Sequence, residues 1–234
     1  MRGIIQKELA QYFKSMTGYV FVAVFLAITG FCFVMVNLVG RSGDIKDFFS
    51  SISSVLLFLL PMLTMRLFTE ERRQRTDELL LTAPVSITAV IAGKYAATLL
   101  VLLLATAVTL IYPVILAVLG SAAVMDTIAN YLGFILICGA FLSIGLFVSV
   151  VAENQLVSAI ITYAVLLMLY AVDSLDALVP GHAAAAVQSF LSLRGHYEAF
   201  TYGIVDAANI VYFISITALF LFLSVYSLEQ KRLD

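Results

Sequence analysis

Long apolar runs dominate the sequence and define most of its predicted elements. A helix needs about 20 apolar residues to cross a bilayer, and six runs reach or approach that length. They continue without the two-residue alternation of barrel strands, so the pattern favours helices. We therefore predict an all-α, polytopic membrane protein with six transmembrane helices, at residues 17–39, 49–67, 88–119, 127–151, 156–172 and 207–228.

The residues before the first run, 1–16, follow a different pattern. Apolar side chains recur there at helical spacing: Ile5, Leu9, Tyr12, Phe13 and Met16. Polar side chains fill the opposite face: Lys7, Glu8, Gln11 and Lys14. This arrangement predicts an amphipathic, N-terminal interfacial helix that lies in the plane of the membrane surface. A cytoplasmic extension of the first span is the alternative.

The basic residues are divided unequally between the two sides that six spans define. With the N terminus inside, the inner side holds Arg2, Lys7, Lys14, Arg66, Arg72, Arg73, Arg75, Lys94, Lys231 and Arg232. The outer side holds only Arg41, Lys46 and Arg194. The positive-inside rule then predicts a multi-pass protein of the cell membrane with both termini cytoplasmic. We expect residues 1–234 to form a single transmembrane domain.

Composition narrows the class of partner. The chain is 62% hydrophobic and 12% charged, with a formal net charge of -2. Such a chain belongs in a lipid bilayer, since soluble domains are about 45–50% apolar. No long basic run offers a track for phosphates, so nucleic acid is excluded as a partner.

The most polar part of the inner side lies between the second and third spans. Seven of the nine residues at 70–78 are charged, and an ionised group costs several kcal/mol at the bilayer centre, so this segment must lie in water. In a helix, Glu71 would face Arg75, Arg73 would face Asp77, and Glu70 would face Arg73. These spacings predict a short, stiff helix whose charged middle projects outward for a partner to bind. A solvated turn that only fixes the topology is the alternative.

The spans lack the residues of a membrane enzyme or an ion-coupled carrier. By these boundaries the charged residues of the spans are Lys94 and Arg66, each near the cytoplasmic end of its span, which argues against proton relays, charged selectivity rings and intramembrane proteases. Cys32 and Cys138 lie in apolar runs and are expected to be packing residues. His182 and His196 lack the close ligand spacing of a metal site. The chain has no GxxxxGK[ST] nucleotide loop, so we expect a non-catalytic chain that binds no cofactor itself.

Smaller features predict how the spans pack. Pro61 and Pro113 predict kinks, either as fixed architecture or as hinges. Small residues four apart on the fourth span predict a close approach of a neighbouring helix: Gly139, Ser143, Gly145 and Ser149. The outer segment 173–206 contains an apolar patch, 183–193, that is too short to cross. We expect it to re-enter the bilayer or to lie flat on the outer surface, and in either case to form a lid.

Three loops carry a resemblance to a known family. The segment 69–86 contains TEER and TDELLLTAPVS and is followed by GK at 93–94, which resembles the pattern E-x(5)-T-x-E-x-L-L-x-x-P-V-S…GK of type-2 ATP-binding-cassette (ABC) exporter permeases. AENQ at 152–155 looks like the short loop after the fourth span of that family. HYEAFTYGIVD at 196–206 is similar to the outer segment of its gliding-motility-associated branch.

The resemblance implies a type-2 ABC exporter permease fold and a set of partners. It implies a dimer of permease subunits above two ABC ATPase subunits, which bind ATP and magnesium. The second permease subunit would be either a second copy of this chain or a protein with a large extracytoplasmic domain. The cytoplasmic coupling helix would lie within 69–86. Its polar ATPase contacts would be Glu70, Glu71, Arg72, Arg73, Arg75, Asp77 and Glu78, with Leu79, Leu80 and Leu81 seated against the bundle. Glu153 and Asn154 would form a second, smaller contact.

Three hypotheses of function follow. The first is a permease subunit switched between inward-facing and outward-facing states by a separate ATPase. The second is an ATPase-driven membrane scaffold that transmits force to an extracytoplasmic partner without moving cargo. The third, a stand-alone channel or carrier, is disfavoured because the spans carry almost no charge.

Overall fold

Every regular element in the described part of the chain is a helix. The computed structural model describes residues 2–74, 86–119, 124–172 and 192–233. The helices are α1 (Arg2–Lys14), α2 (Met16–Phe33), α3 (Ile45–Thr64), α4 (Thr69–Arg73), α5 (Ile87–Thr109), α6 (Ile111–Val118), α7 (Val124–Val151), α8 (Gln155–Ala171), α9 (Leu193–Thr201) and α10 (Ala207–Leu233). A π-helical segment, Val34–Val39, continues α2.

Five of the predicted spans coincide with helices long and apolar enough to cross a membrane. These stretches are Met16–Val39, Ile45–Arg73, Ile87–Val118, Val124–Val151 and Ala207–Arg232. The predicted fifth span, 156–172, is the apolar helix α8 of 17 residues. At 1.5 Å per residue α8 is about 25 Å long, shorter than the roughly 30 Å hydrocarbon core.

Helix α7 lies at the centre of the bundle. Within its most apolar window 78% of residues are buried, against 22% for α2 and 11% for α10. It packs against α3, α5, α8, α9 and α10. The stripe of small residues explains part of this packing, because a Cβ atom on Gly145 would lie 2.8 Å from Cβ of Thr64 on α3. The backbones of α3 and α7 therefore approach each other as the small residues predict.

The third span is broken where Pro113 requires it. Proline has no N–H, and its ring displaces the carbonyl four residues earlier, here that of Thr109. Helix α5 ends at Thr109 and α6 begins at Ile111. The released Thr109 carbonyl accepts a hydrogen bond of 2.8 Å from the Tyr131 hydroxyl of α7. The break is thus held by a partner on the central helix.

Helix α9 closes the bundle at the end opposite α4, and its two ends have side-chain and backbone caps. The Ser192 hydroxyl accepts from the Gly195 N–H at 2.7 Å. At the other end Gly203 has φ +76°, and the bonds from Gly203 N to Phe200 O and from Ile204 N to Ala199 O form a Schellman motif. Only the part of the predicted outer segment from residue 192 onward lies within the described residues, so most of the patch 183–193 lies outside them.

The close contact at Gly145 predicts a selective loss of stability. Gly145→Ala should destabilise the protein by about 1–3 kcal/mol, because the added methyl overlaps the branched Thr64 side chain between two packed helices. Thermal unfolding of the purified chain in detergent measures this loss. Gly30→Ala is the control, since its Cβ would meet only the Tyr112 hydroxyl at 3.5 Å. Equal stability of the two variants would contradict the close approach.

Candidate functional site

A buried ammonium group lies near the start of α5. Lys94 is 1% exposed, and three oxygen atoms lie within 3.1 Å of its Nζ. They are Glu8 Oε1 at 3.0 Å, the Leu67 carbonyl at 2.6 Å and Glu71 Oε1 at 3.1 Å. An ammonium group has three N–H donors, so the number of oxygen atoms matches the number of donors. We call Glu8, Glu71 and Lys94 the ion cluster.

The ion cluster joins three elements that are distant in the sequence. Glu8 belongs to α1, Glu71 to α4 and Lys94 to α5. The Phe68 ring lies 4.8 Å from Lys94 Nζ and adds a cation–π contact on the apolar side. Lys7, with its side chain 63% exposed, approaches Glu71 Oε1 at 3.7 Å from the solvent side. The two buried carboxylates therefore share one buried cation, and Glu71 also has a cation at the rim.

The GK dipeptide at 93–94 brings α1 against α5. A Cβ atom on Gly93 would lie 2.8 Å from Cγ2 of Ile4, so glycine permits the close approach while its neighbour Lys94 reaches Glu8. One turn further along α1, the Tyr12 hydroxyl donates to the Leu63 carbonyl at 3.1 Å. Burial raises the pKa of this hydroxyl above its ordinary value, so Tyr12 is a neutral hydrogen-bonding group here.

Three positions in this region correct the sequence predictions. Glu8 was expected on the polar, water-facing side of α1 but is 4% exposed, because Lys94 compensates its charge inside the bundle. Met16, expected at the end of the same helix, instead starts α2. Glu71, expected to project outward, is 7% exposed for the same reason as Glu8.

Arg72 joins α4 to the end of the central helix, α7, by hydrogen bonds. Its Nη1 donates to the Ala152 carbonyl at 2.5 Å and its Nη2 to the Val150 carbonyl at 3.0 Å. Lys231 of α10 donates to the same Val150 carbonyl at 2.6 Å. The last carbonyls of a helix have no partner within it, and cations are favourable there. Arg72 and Lys231 therefore cap the C-terminal end of α7.

The start of α4 is tied to α7 and α8 as well. The Phe68 N–H donates to the Ser149 hydroxyl at 3.0 Å, which satisfies a backbone donor at the beginning of α4. The Glu70 carboxylate accepts from the side-chain amides of Gln155 and, at 3.0 Å, of Gln74. Asn154 caps α8 by accepting from the Val157 N–H at 2.9 Å. The segments 69–74 and 152–155 consequently form one contiguous surface.

The predicted coupling residues occupy different environments on this surface. Arg73, Glu153 and Asn154 are exposed, Glu70 and Arg72 are half-buried, and Glu71 is buried. No ion pair joins Glu70 to Arg73 in the described part of the chain. Four of the predicted residues lie outside the described residues: Arg75, Asp77, Glu78 and Leu79. Their contacts stay predictions.

His196 belongs to no recognisable metal site within the ranges that the structure describes. There, no group of three or more His, Cys, Asp and Glu side chains could hold a metal ion. The His196 ring instead stacks on Tyr212 with centroids 3.9 Å apart, and its Nδ1 lies 2.7 Å from Oδ1 of Asn209. His182 lies outside the described residues.

Sequence reasoning missed most of the partners that hold α4. Glu8 lies three residues after Ile5 and four before Tyr12, a spacing that places it on the packed face of α1. That spacing, together with an otherwise isolated lysine in an apolar run, is a signal from which the ion pair could have been found. Nothing in the sequence marks Ser149, Gln155 or Lys231 as partners of α4 or of the end of α7.

Together, the long apolar helices and the polar surface at one end of the bundle define a polytopic helical membrane protein. The sequence pattern of ABC-2 family transporter proteins matches residues 5–172, more than half of the chain. The protein belongs to this family. It is thus a membrane permease of an ABC transporter, a class that is generally non-catalytic, and works with an ABC ATPase. No curated protein matches the chain in sequence.

From the ion cluster we predict that removing only its cation destabilises the protein far more than replacing all three charged residues. Lys94→Met should destabilise the protein by about 3–5 kcal/mol, because it leaves two carboxylates buried without their shared cation. The triple variant Glu8→Met, Glu71→Met, Lys94→Met should recover much of this loss, since apolar replacement of a buried ion pair is often nearly neutral. Thermal unfolding in detergent compares the variants. Lys14→Met, at an exposed position of α1, is the control, and a Lys94→Met protein as stable as this control would contradict the prediction.

Two adjacent arginines should behave differently when their charge is removed. Arg72→Gln should destabilise the protein by about 1.5–3 kcal/mol, the range for hydrogen bonds to a charged group, because the Val150 and Ala152 carbonyls lose this donor. Arg73→Gln should change stability by less than about 0.5 kcal/mol, since Arg73 is exposed. The two unfolding curves, recorded side by side, make each variant the control of the other. Equal effects would show that the Arg72 contacts do not stabilise the fold.

Proposed function

We propose that the chain is an exporter permease subunit driven by a separate ABC ATPase through the surface formed by segments 69–86 and 152–155. The ATPase subunits, as a dimer, bind ATP and magnesium, and this chain supplies the membrane path. The exposed contact residues are Arg73, Glu153 and Asn154, with Glu70 and Arg72 beside them. Arg75, Asp77, Glu78 and Leu79 complete the contact from the adjoining segment, and Glu71 acts from inside by fixing α4 to Lys94.

One observation carries this proposal. The two loops that were separately predicted to contact an ATPase, one after the second span and one after the fourth, meet at the same end of the bundle. The Arg72 bonds to Val150 and Ala152, together with the Glu70 bond to Gln155, join them directly. Two loops held as one rigid surface can dock as a unit on a partner, and a rigid surface loses little freedom on binding.

The ion cluster supports a mechanical role for this surface. A contact that moves α4 also moves Glu71, and the charge of Glu71 is compensated by Lys94 on α5. Separating them would leave buried charges without partners, which costs several kcal/mol. Joint movement of α4 with α5, and through Glu8 with α1, is therefore favoured over movement of α4 alone.

The proposed topology follows the charge distribution. We place both termini and the surface around α4 in the cytoplasm, α1 in the membrane interface, and α8 across the membrane as the sixth span. The apolar faces of α2 and α10, which the bundle leaves exposed, would contact lipid and a second permease subunit. That subunit is either a second copy or, as in the gliding-motility-associated branch, a protein with a large extracytoplasmic domain.

A charge reversal on the exposed surface tests the ATPase contact. Arg73→Glu should lower the amount of ABC ATPase that copurifies with the tagged chain from native membranes about tenfold, a change of roughly 1.4 kcal/mol, because it places a like charge against the ATPase acids that the arginine would meet. The measurement is quantitative mass spectrometry of the complex in mild detergent. Glu153→Lys tests the second loop in the same way.

Arg232→Glu is the matched control for this experiment. It makes the same charge change at an exposed position near the end of α10, outside the proposed contact, and should leave ATPase recovery unchanged. Undiminished recovery with both Arg73→Glu and Glu153→Lys, in proteins of normal thermal stability, would count against the proposed contact. Normal ATPase binding without movement of any cargo into vesicles would instead favour the membrane scaffold.

A further inference from the structure

An apolar groove with a cationic mouth runs between α2 and α3, beside the ion cluster but separate from it. Its volume is about 290 Å³. Val20 and Val24 of α2, with Leu59 and Met62 of α3, form its walls, and Thr17 and Arg66 lie at its mouth. The groove follows α2 from Thr17 to Val24, roughly 10 Å at 1.5 Å per residue. The groove is therefore apolar along its length and polar at its mouth.

Arg66 gives the mouth of the groove a positive charge that is available to a ligand. The residue is exposed, and its Nη1 donates to the Thr17 hydroxyl at 2.6 Å. No carboxylate of the described ranges forms an ion pair with it. The acidic side chains that line the adjoining cavity are engaged elsewhere, Glu8 with Lys94 and Glu70 with the amides of Gln74 and Gln155.

The hydroxyl groups beside Arg66 add further donors. The Ser15 hydroxyl donates to the Thr17 hydroxyl at 3.1 Å, and Thr17 also accepts from Arg66. A threonine hydroxyl that accepts two bonds keeps its own O–H to donate. A guanidinium group with free N–H donors next to a hydroxyl donor matches the acceptor oxygens of a phosphate group. The mouth thus suits a singly charged phosphodiester.

We propose that this groove binds an anionic phospholipid. The phosphate is held by Arg66 and Thr17, and one acyl chain lies along Val20, Val24, Leu59 and Met62. The apolar walls accept an acyl chain of any phospholipid. The cation at the mouth selects a headgroup with net negative charge, because a zwitterionic headgroup carries its own cation close to the phosphate. The inference does not depend on the ATPase contact.

The absence of tryptophan from the sequence permits a direct test. Met62→Trp places a single fluorophore in the groove, at a position that is 49% exposed. The full chain is reconstituted into phosphatidylcholine vesicles with an equal minor fraction of brominated phosphatidylglycerol or brominated phosphatidylcholine, whose bromines quench tryptophan on contact. We expect the anionic lipid to occupy the groove with about fivefold preference, as one basic residue near a membrane surface provides. Adding Arg66→Gln should abolish this preference.

Matched controls separate a groove site from general attraction to an anionic surface. Phe222→Trp on α10, at a position 67% exposed, should be quenched equally by both lipids. Arg232→Gln combined with Met62→Trp should retain the preference. Val20→Trp repeats the measurement from the other wall if Met62→Trp fails to fold.

Three outcomes would overturn the proposal. The first is equal quenching of the groove tryptophan by both lipids. The second is a preference for phosphatidylglycerol that survives Arg66→Gln. The third is a groove tryptophan shielded from both lipids in a protein whose copies cross-link through α2 and α3, since a second copy would then occupy the groove.

Discussion

A single buried ammonium group holds one end of this helical bundle together. Lys94 compensates two carboxylates that approach it from α1 and α4, and its three N–H donors meet three oxygen atoms, one on α1 and two on the segment 67–71. In water each of these groups would be solvated independently. Inside the bundle each carboxylate depends on the same cation, because an uncompensated buried charge costs several kcal/mol. This constraint fixes where α1 and α4 can lie relative to α5, and the polar surface at this end of the bundle depends on it.

The same requirement, that no polar group be left alone in an apolar setting, explains other contacts in the fold. Pro113 releases the Thr109 carbonyl, and Tyr131 supplies its donor from the central helix. The end of α7 has unpaired carbonyls, and Arg72 and Lys231 supply theirs. In each case the donor comes from a different helix. Backbone carbonyls within a membrane cannot rely on water for their hydrogen bonds. The need for a donor from another helix thus also specifies which helices are neighbours.

The sequence predicted the parts of the fold that follow from one-dimensional patterns. Five spans were found because apolar length alone marks a crossing helix, and the break in the third span followed from Pro113. The partners in the site could not be found in that way. Glu8 and Lys94 are 86 positions apart, and a pairing at that distance depends on how helices pack, which periodicity does not encode.

Glu71 was predicted to face outward because charged runs usually do. In the structure a buried cation overrides that tendency. The inward-facing members of this polar surface were not recognised from the sequence.

Contacts with neighbouring helices stabilise the helical conformation of α4. A helix of five residues is not stable by itself, because the cost of nucleation is not recovered over so few hydrogen bonds. The Phe68 N–H just before α4 donates to Ser149, the buried Glu71 is compensated by Lys94, and Arg72 donates to the end of α7. The sequence predicts a helix stiffened by ion pairs of its own, two of which involve Arg75 or Asp77, outside the described residues. The described contacts stiffen this short element from outside, through α5, α7 and α8. A force applied to such an element reaches the bundle directly, since its contacts with Lys94, Ser149 and Val150 are contacts with the long helices α5 and α7.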